Sequence, residues 1–442
     1  MVTGHAADEA ANLLVAGRFV LIFLTARLLA EGMVRWRLPT ILGELLAGVV
    51  LGVSGLRLVV PPESGVPLSP WLVTQLGHLS DLAPDQVLAV ADDSFPALQV
   101  VASLGLYALL FVTGLESDLD ELIAVGGQAV SVACTGVVLP FLLGTGGLML
   151  LFHVDPVPAV FAGASMTATS IGITASVFAE LGMLRQREGL IVIGAAVLDD
   201  ILGIVILAVV VAFAGGGSLT PGPILQLVAA ALVFVLTAIA LSRRIGPAFD
   251  RLIDILRAPG ELVVAAFVVL FVACFTATAI GLEAALGAFA AGLILSNSSR
   301  REAIRDAVAP VVSLFATVFF VLIGTAMDLS VLDPTDPANR SGLLVALFLL
   351  LAAVVGKLAS GWSFVSREPT DRLLVGVGML PRGEVGLIFL GLGTAAGLLS
   401  PALEAAILLM VIGTTFLAPV LLRIVIPEEP DQPDAQALEQ PA

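Results

Sequence analysis

Two adjacent acidic residues, Asp199 and Asp200, stand inside the long apolar segment 188–213. An ionisable group surrounded by hydrocarbon is costly, so such groups are usually kept for a function. Surroundings of low dielectric constant favour the protonated form of a carboxylate, and a second carboxylate beside it adds to this preference. Carboxylate oxygens are also good ligands for small hard cations. This pair therefore has the chemistry to take up a cation and release protons in return.

The composition indicates that the elements around this pair lie in a membrane. The chain has 442 residues, of which 58% are hydrophobic and 13% are charged, with a mean hydropathy of +1.07. Soluble domains carry roughly 25% charged residues. The net charge of −16 comes mainly from acids in loops and near the C-terminus, and it excludes nucleic acid as a partner. The two cysteines, Cys134 and Cys274, each lie in an apolar run and predict neither a disulfide framework nor a zinc site.

The sequence predicts an all-α polytopic membrane protein with 13 transmembrane helices. The approximate limits of these spans are 12–34, 39–55, 98–115, 126–152, 157–181, 188–213, 223–242, 260–280, 284–297, 308–326, 341–365, 372–396 and 401–425. Of the 20 Lys and Arg residues, 14 fall in loops on one side and only Arg57 and Arg340 in loops on the other. Positive loops face the cytoplasm, so we expect the N-terminus outside and the C-terminus inside.

Residues 1–426 are expected to form a single transmembrane unit. The segment 56–97 is then a long extracytoplasmic loop, in which a helix lying on the membrane surface is plausible. The segment 427–442 is rich in Pro, Glu and Asp, and it is expected to be a disordered cytoplasmic tail.

The single lysine of the chain, Lys357, lies deep in the eleventh span. A buried ammonium group needs a carboxylate partner, and Asp199 or Asp200 is the natural one. The alternative is a lysine whose long side chain reaches the membrane surface. Glu44 lies closer to a helix end, where a structural or interfacial role is expected.

Two spans have sequences that favour an interruption of the helix. The fifth span contains a run of hydroxyl and small residues at 165–172, and the twelfth contains Pro381, Arg382 and Glu384 among glycines at 378–386. Each alone could be ordinary: hydroxyl contacts between helices, or a proline kink. Together they occupy matching places in two triplets of spans of opposite orientation, as in carriers built from inverted repeats.

Several motifs together resemble the monovalent cation:proton antiporter superfamily, specifically its second branch. They cover about residues 12–425. The motifs are Pro39-Thr-Ile-Leu-Gly-Glu-Leu-Leu-Ala-Gly48, Phe111-Val-Thr-Gly-Leu-Glu116, Thr167-Ala-Thr-Ser-Ile-Gly-Ile-Thr174, Gly194-Ala-Ala-Val-Leu-Asp-Asp-Ile-Leu-Gly203, Gly287-Ala-Phe-Ala-Ala-Gly292, Phe319-Phe-Val-Leu-Ile-Gly324 and Gly378-Met-Leu-Pro-Arg-Gly-Glu-Val-Gly-Leu-Ile388.

The resemblance implies an inverted-repeat antiporter fold with two crossed broken helices. It implies a homodimer in a prokaryotic cytoplasmic membrane, with a core of about 126–213 and 341–425 and a dimer domain made by the remaining spans. This fold would serve pH homeostasis and need no cofactor.

The resemblance also implies roles for single residues. Asp200 would be the main carrier of sodium and protons, and Asp199 the second acid, paired with Lys357 when the cation is absent. Thr169 and Ser170 would help to bind the ion. Arg382 and Glu384 would stabilise the crossover in the twelfth span.

Electrogenic exchange of sodium for protons by alternating access is therefore the favoured function, and potassium/proton exchange is the main alternative. A remote alternative is an intramembrane aspartyl protease. It would need its two aspartates on different helices, whereas Asp199 and Asp200 are adjacent, so we do not expect an enzyme.

Overall fold

A computed structural model describes residues 2–36, 38–116, 124–214, 221–255, 260–332, 337–366, 368–382, 386, 389–390, 393 and 397–426. The helices are α1 Val2–Arg35, α2 Thr40–Leu51, α3 Pro70–Ser80, α4 Pro84–Glu116, α5 Gly126–Leu151, α6 Pro156–Ser165, α7 Ile171–Glu180, α8 Arg187–Ala214, α9 Pro221–Ile255, α10 Glu261–Ala279, α11 Ala284–Leu295, α12 Arg301–Thr325, α13 Pro337–Ser360, α14 Arg372–Gly378 and α15 Pro401–Val425. The 3₁₀ turns are Pro62–Ser64 and Leu329–Leu332. The segment 427–442, predicted to be a tail, lies outside the described residues.

The protein is a multi-pass membrane protein. Within the described ranges the chain is mostly helical and contains no strand, as the composition predicts. Seven helices of the described part are long and apolar enough to cross a membrane: α1, α4, α5, α10, α12, α13 and α15. Four further apolar helices, α2, α6, α7 and α11, are shorter, with 10 to 12 residues each.

The segment 56–97 is more ordered than a loop. It contains α3 and the first 14 residues of α4, which begins at Pro84 rather than near residue 98. Proline is favoured in the first turn of a helix, which suits the starts of both helices. Arg18 of α1 fixes this early part of α4, since its guanidinium donates to Ala91 O and Ser94 Oγ, both at 3.1 Å.

Helix α9 extends beyond the expected end of its span near residue 242 to Ile255. This extension is fixed by Asp250, whose carboxylate accepts hydrogen bonds from the Ser298 hydroxyl and from the backbone N–H and hydroxyl of Ser299. Burial acts to raise the pKa of Asp250, but these hydrogen bonds and the nearby charge of Arg300 outweigh it and lower the pKa. A second contact, the ion pair between Arg300 and Asp254, lies on the same helix face.

The helices pack in two groups. Bundle A contains α1, α2, α4 and α9–α12, and bundle B contains α5–α8 and α13–α15. The contacts between the bundles are fewer and run mainly through α7, which lies against α4 and α2, and through α8, which touches α9. The two spans that the sequence predicts to be interrupted therefore lie within bundle B, and α7 faces bundle A.

Helices α2 and α12 of bundle A approach so closely that their backbones touch at glycines. A Cβ atom added to Gly48 would lie 2.1 Å from Val321 O, and one added to Gly324 would lie 2.1 Å from Leu45 O. Small residues allow such close contact between helices in a membrane, where packing replaces the hydrophobic effect as the driving force. The glycines are thus required by the geometry of this crossing.

We expect Gly48→Ala to destabilise the protein, because the methyl group must push two helix backbones apart. Overpacking of this kind costs about 1–3 kcal/mol. The check is the thermal unfolding midpoint of detergent-purified protein, and the matched control is Gly32→Ala on α1, where an added Cβ meets nothing within 4 Å. An equal midpoint for both variants would show that the crossing tolerates the methyl group.

Candidate cation site

The predicted interruption of the fifth span is present between α6 and α7. The first half-helix ends at Ser165 and the second begins at Ile171. The hydroxyls of Ser165 and Thr167 donate to the carbonyls of Ala162 and Ala164, at 2.7 and 2.8 Å. Such local bonds compete with the regular hydrogen bonds of a helix, which is why a cluster of hydroxyl residues favours an end at this point.

The twelfth span is interrupted in the same layer. Helix α14 ends at Gly378, and residues 379–382 continue without helical structure. Pro381 explains the break, since it has no N–H to donate and disfavours helical conformation at the residue before it. Glu384, which the sequence placed at this crossover, lies outside the described residues.

The two interruptions face each other and satisfy each other's backbone. The N–H of Ser170 donates to Pro381 O at 2.8 Å, and the Thr174 hydroxyl donates to Gly378 O at 3.2 Å. The hydroxyl oxygen of Thr169 also lies 3.2 Å from Met379 O. Non-helical backbone at this depth needs partners from the protein, and here each broken segment supplies them to the other.

Both aspartates lie on α8 beside this crossing. Asp199 is fully buried and Asp200 is 9% exposed. The Thr169 hydroxyl donates to Asp199 Oδ2 at 2.7 Å. Neighbouring residues on a helix point about 100° apart, so the two carboxylates are directed differently. Asp199 is turned toward the broken segment of the fifth span.

Lys357 on α13 forms an ion pair with Asp199. Its Nζ lies 2.7 Å from Asp199 Oδ2 and 2.8 Å from the Thr169 hydroxyl, and both charged side chains are fully buried. Asp200 is close enough to interact electrostatically with the same ammonium group. Gly136 of α5 lies beside the lysine, where an added Cβ would be in ordinary van der Waals contact with Lys357 Nζ, at 3.4 Å.

Arg382 is the second buried cation of the site. Its guanidinium donates to Ala168 O at 3.1 Å, in the interruption of the fifth span, and its own carbonyl accepts from the Thr415 hydroxyl at 2.6 Å. The helix ends at Ser165 and Gly378 carry partial negative charge. Arg382 and Lys357 therefore offset both the carboxylates and the carbonyl groups at these ends.

Two buried oxygen atoms of the site have no hydrogen-bond partner within the described ranges: Asp199 Oδ1 and Ser170 Oγ. A buried polar atom without a partner costs about 1–3 kcal/mol, and such atoms often mark a binding function. Carboxylate and hydroxyl oxygens are ligands for hard cations. The site can therefore bind a small cation or a proton, and a bound cation would replace the contact between Lys357 and Asp199.

The structure brings together six of the seven residues that the sequence proposed: Thr169, Ser170, Asp199, Asp200, Lys357 and Arg382. Sequence reasoning missed Thr415, which lies in the regular helix α15. It also missed the carbonyl of Ala168. Nothing in the local pattern of these residues distinguishes them from ordinary packing positions.

Comparison with known proteins identifies the family of this chain. The family model "Sodium/hydrogen exchanger, transmembrane" matches residues 20–426. The chain is 46% identical to the high-affinity Na⁺/H⁺ antiporter NhaS3 of Synechocystis over 96% of this chain and 94% of that protein. It is 30% identical to the Na⁺/H⁺-K⁺ antiporter GerN of Bacillus cereus, covering 92% of this chain and 95% of GerN.

A solved structure shows the same fold at low sequence identity. The sodium proton antiporter MjNhaP1 of Methanocaldococcus jannaschii superimposes with a TM-score of 0.60 at 16% identity, over 94% of this chain and 97% of that chain. The match of the family model over most of the chain and the 46% identity to a full-length relative are decisive. This chain belongs to the sodium/hydrogen exchanger family.

Proposed function

We propose that the protein exchanges sodium ions for protons by alternating access, as a secondary active transporter and not as an enzyme. The observation that carries this proposal is the buried contact of Lys357 with Asp199 and Thr169, next to Asp200 and at the meeting of two broken helices. A cation and a proton can compete for the same oxygens there. The names of NhaS3 and GerN support sodium as the cation.

Asp200 is the main carrier in this proposal, and Asp199 is its partner. When sodium reaches the two carboxylates, it displaces the ammonium of Lys357 from Asp199, with Thr169 and Ser170 supplying further oxygens. Once displaced, the ammonium group of Lys357 has lost its carboxylate partner and stands near the bound cation. Both changes favour loss of its proton. Two protons, from Asp200 and Lys357, then move against one sodium ion, so exchange is electrogenic.

Bundle B is the part that moves in this proposal, because it holds the whole site. Bundle A is the scaffold and carries the contacts of a homodimer. The topology has 13 transmembrane helices with the N-terminus outside, supported by the distribution of arginines along the sequence. We place the protein in a prokaryotic cytoplasmic membrane, with a role in pH homeostasis, because NhaS3 and GerN are bacterial antiporters.

Potassium is a second candidate ion, since the name of GerN includes K⁺ as well as Na⁺. The two ions share ligand types and differ in the size of cavity they prefer. For this reason the side chains of the site suit either ion.

The proposal is tested with purified protein in liposomes that contain a pH-sensitive dye. We expect an external sodium pulse to change the internal pH, whereas an equal pulse of choline leaves it unchanged. Potassium pulses over the same concentrations measure the selectivity, and a larger response to potassium would assign the protein to potassium exchange. A pH change that does not depend on either ion would refute the proposed function.

A further inference from the structure

A cavity of about 840 Å³ lies between bundle A and bundle B, away from the site described above. Helices α1, α2, α4 and α12 form its walls, and α7 closes it from the side of bundle B. Its walls are largely apolar. The polar side chains that line it are Arg27, Thr40, Glu44, Ser176, Ser313 and Thr317.

Glu44 is the carboxylate in this cavity. The Thr317 hydroxyl of α12 donates to Glu44 Oε1 at 2.7 Å, and no other hydrogen bond to this side chain is found among the described residues. The side chain is half-buried, so it keeps access to the cavity. Arg27 lines the same space, but the described residues include no ion pair between Arg27 and Glu44. A carboxylate among apolar helices without a cationic partner is costly, so it indicates a functional role.

The cavity touches α7, the half-helix that begins at the candidate cation site. Ser176 and Ala179 of α7 line it, and α7 begins immediately after Ser170. Ser176 lies five residues beyond Ile171, which is about 8 Å along a helix. The other end of α7 lies at the face with the arginine-rich loops, where the Glu180 carboxylate accepts from the backbone N–H and hydroxyl of Thr40 at 2.9 Å. The cavity therefore lies along the part of α7 next to that face and ends short of the first turn of this half-helix.

We propose that Glu44 and Thr317 form a second cation site, where a monovalent cation pauses between the arginine-rich face and Asp200. This inference rests on the proposed function. One carboxylate and a few hydroxyl oxygens give a weak site, which suits an ion that must move on. A water molecule occupies about 30 Å³ in the liquid, so the cavity has room for a cation with most of its hydration shell. The site therefore takes sodium or potassium by charge, while selection between them occurs deeper.

The Glu44 site predicts an effect on one face of the membrane only. Everted vesicles expose the arginine-rich face to added sodium, and right-side-out vesicles expose the opposite face. We expect Glu44→Gln to raise the apparent KM for sodium in everted vesicles by about fivefold to tenfold, because a charge close to the ion is lost. The maximal rate and the KM in right-side-out vesicles should stay near the wild-type values.

The matched control is Glu31→Gln, which removes an exposed carboxylate near the same face, paired with Arg35 and outside the cavity. Thr317→Ser should keep the wild-type KM and Thr317→Val should raise it, since only serine retains the hydroxyl. An unchanged KM for Glu44→Gln, or an equal rise on both faces, would contradict an entrance site. A lower thermal midpoint with unchanged KM would show that Glu44 only joins α2 to α12.

A binding measurement separates this inference from the proposed function. In the Asp200→Asn background, sodium chloride should still raise the thermal midpoint slightly relative to choline chloride, and Glu44→Gln should remove that rise. This test remains valid even if the wild-type protein exchanges no cation, in which case the proposed function fails alone. If the midpoint of the Asp200→Asn protein shows no dependence on sodium, the second site does not exist.

Discussion

Asp200→Asn is expected to abolish sodium-evoked proton movement in proteoliposomes, down to the level of liposomes without protein. Asparagine keeps the size of the side chain and one oxygen ligand, but it neither carries negative charge nor takes up a proton in the relevant range. The carrier must do both in turn, once for each ion. Because Asp200 is nearly buried, at 9% exposure, water can do little to replace the carboxylate in stabilising a bound cation.

The same variant should lose most of the stabilisation that sodium gives to the wild-type protein. A ligand present at 100 times its Kd stabilises the folded state by about 2.7 kcal/mol, so binding is visible as a rise in the thermal midpoint. The measurement compares sodium chloride with choline chloride at equal ionic strength. This binding readout does not require transport, and it therefore separates loss of the ion site from loss of movement between conformations.

A matched control for the loss of charge is Asp92→Asn on α4, an exposed position far along the chain from the crossing. It should retain wild-type exchange. Full exchange by the Asp200→Asn protein would show that another group carries the ions. Loss of exchange with sodium stabilisation intact would assign Asp200 to a later step than binding.

Lys357→Met is expected to lower stability by about 3–5 kcal/mol, because it leaves a buried carboxylate without its charged partner. Methionine retains much of the volume and flexibility of lysine, so cavity formation contributes little. The contact that is lost is the pair of bonds from Nζ to Asp199 and Thr169, at 2.7 and 2.8 Å. The thermal midpoint in the absence of sodium measures the effect.

A double variant tests whether this loss comes from the ion pair. In Asp199→Asn with Lys357→Met no buried charge of the pair remains, so the two changes together should cost less than the sum of the single changes. Additive effects would show that Lys357 and Asp199 contribute to stability independently. They would contradict the assignment of the pair as an energetic unit.

Lys357→Met should also change transport in a way that a purely structural lysine would not. If Lys357 supplies one of the two protons, its loss leaves one proton for one sodium ion, and exchange becomes electroneutral. An imposed membrane potential should then no longer alter the rate, and the pH profile should lose one titration step. A variant that remains voltage-dependent with the wild-type pH profile would remove Lys357 from the ion cycle.

Some of the site could be predicted from the sequence because the signals are local and costly. Asp199, Asp200 and Lys357 stand out because a charge in an apolar run is unfavourable unless it has a use. The hydroxyl cluster at 165–172 and Pro381 predicted interruptions because both disturb the hydrogen bonds of a helix. The order of the motifs along the chain indicated the family. These inferences needed no knowledge of which helices touch.

The extent of individual helices was predicted less well. Residues 84–97 read as a loop because acids such as Asp92 and Asp93 break the apolar run. In the structure these acids lie on the exposed side, while Phe95 and Leu98 turn inward and Arg18 binds the helix from α1. Hydropathy averaged over a window hides such a helix, whose two faces differ.

The sequence by itself determined that this chain is helical, lies in a membrane and carries an acidic pair at depth, since apolar length and charge cost are properties of contiguous residues. The family resemblance implied that Lys357 pairs with Asp199, and the tertiary structure supplied the contact itself. Only the tertiary structure decided that the two interrupted helices satisfy each other's backbone. It alone placed Glu44 beside Thr317 in a cavity. These contacts join residues 158, 211 and 273 positions apart. Their geometry depends on how helices cross, which no local pattern of residues specifies.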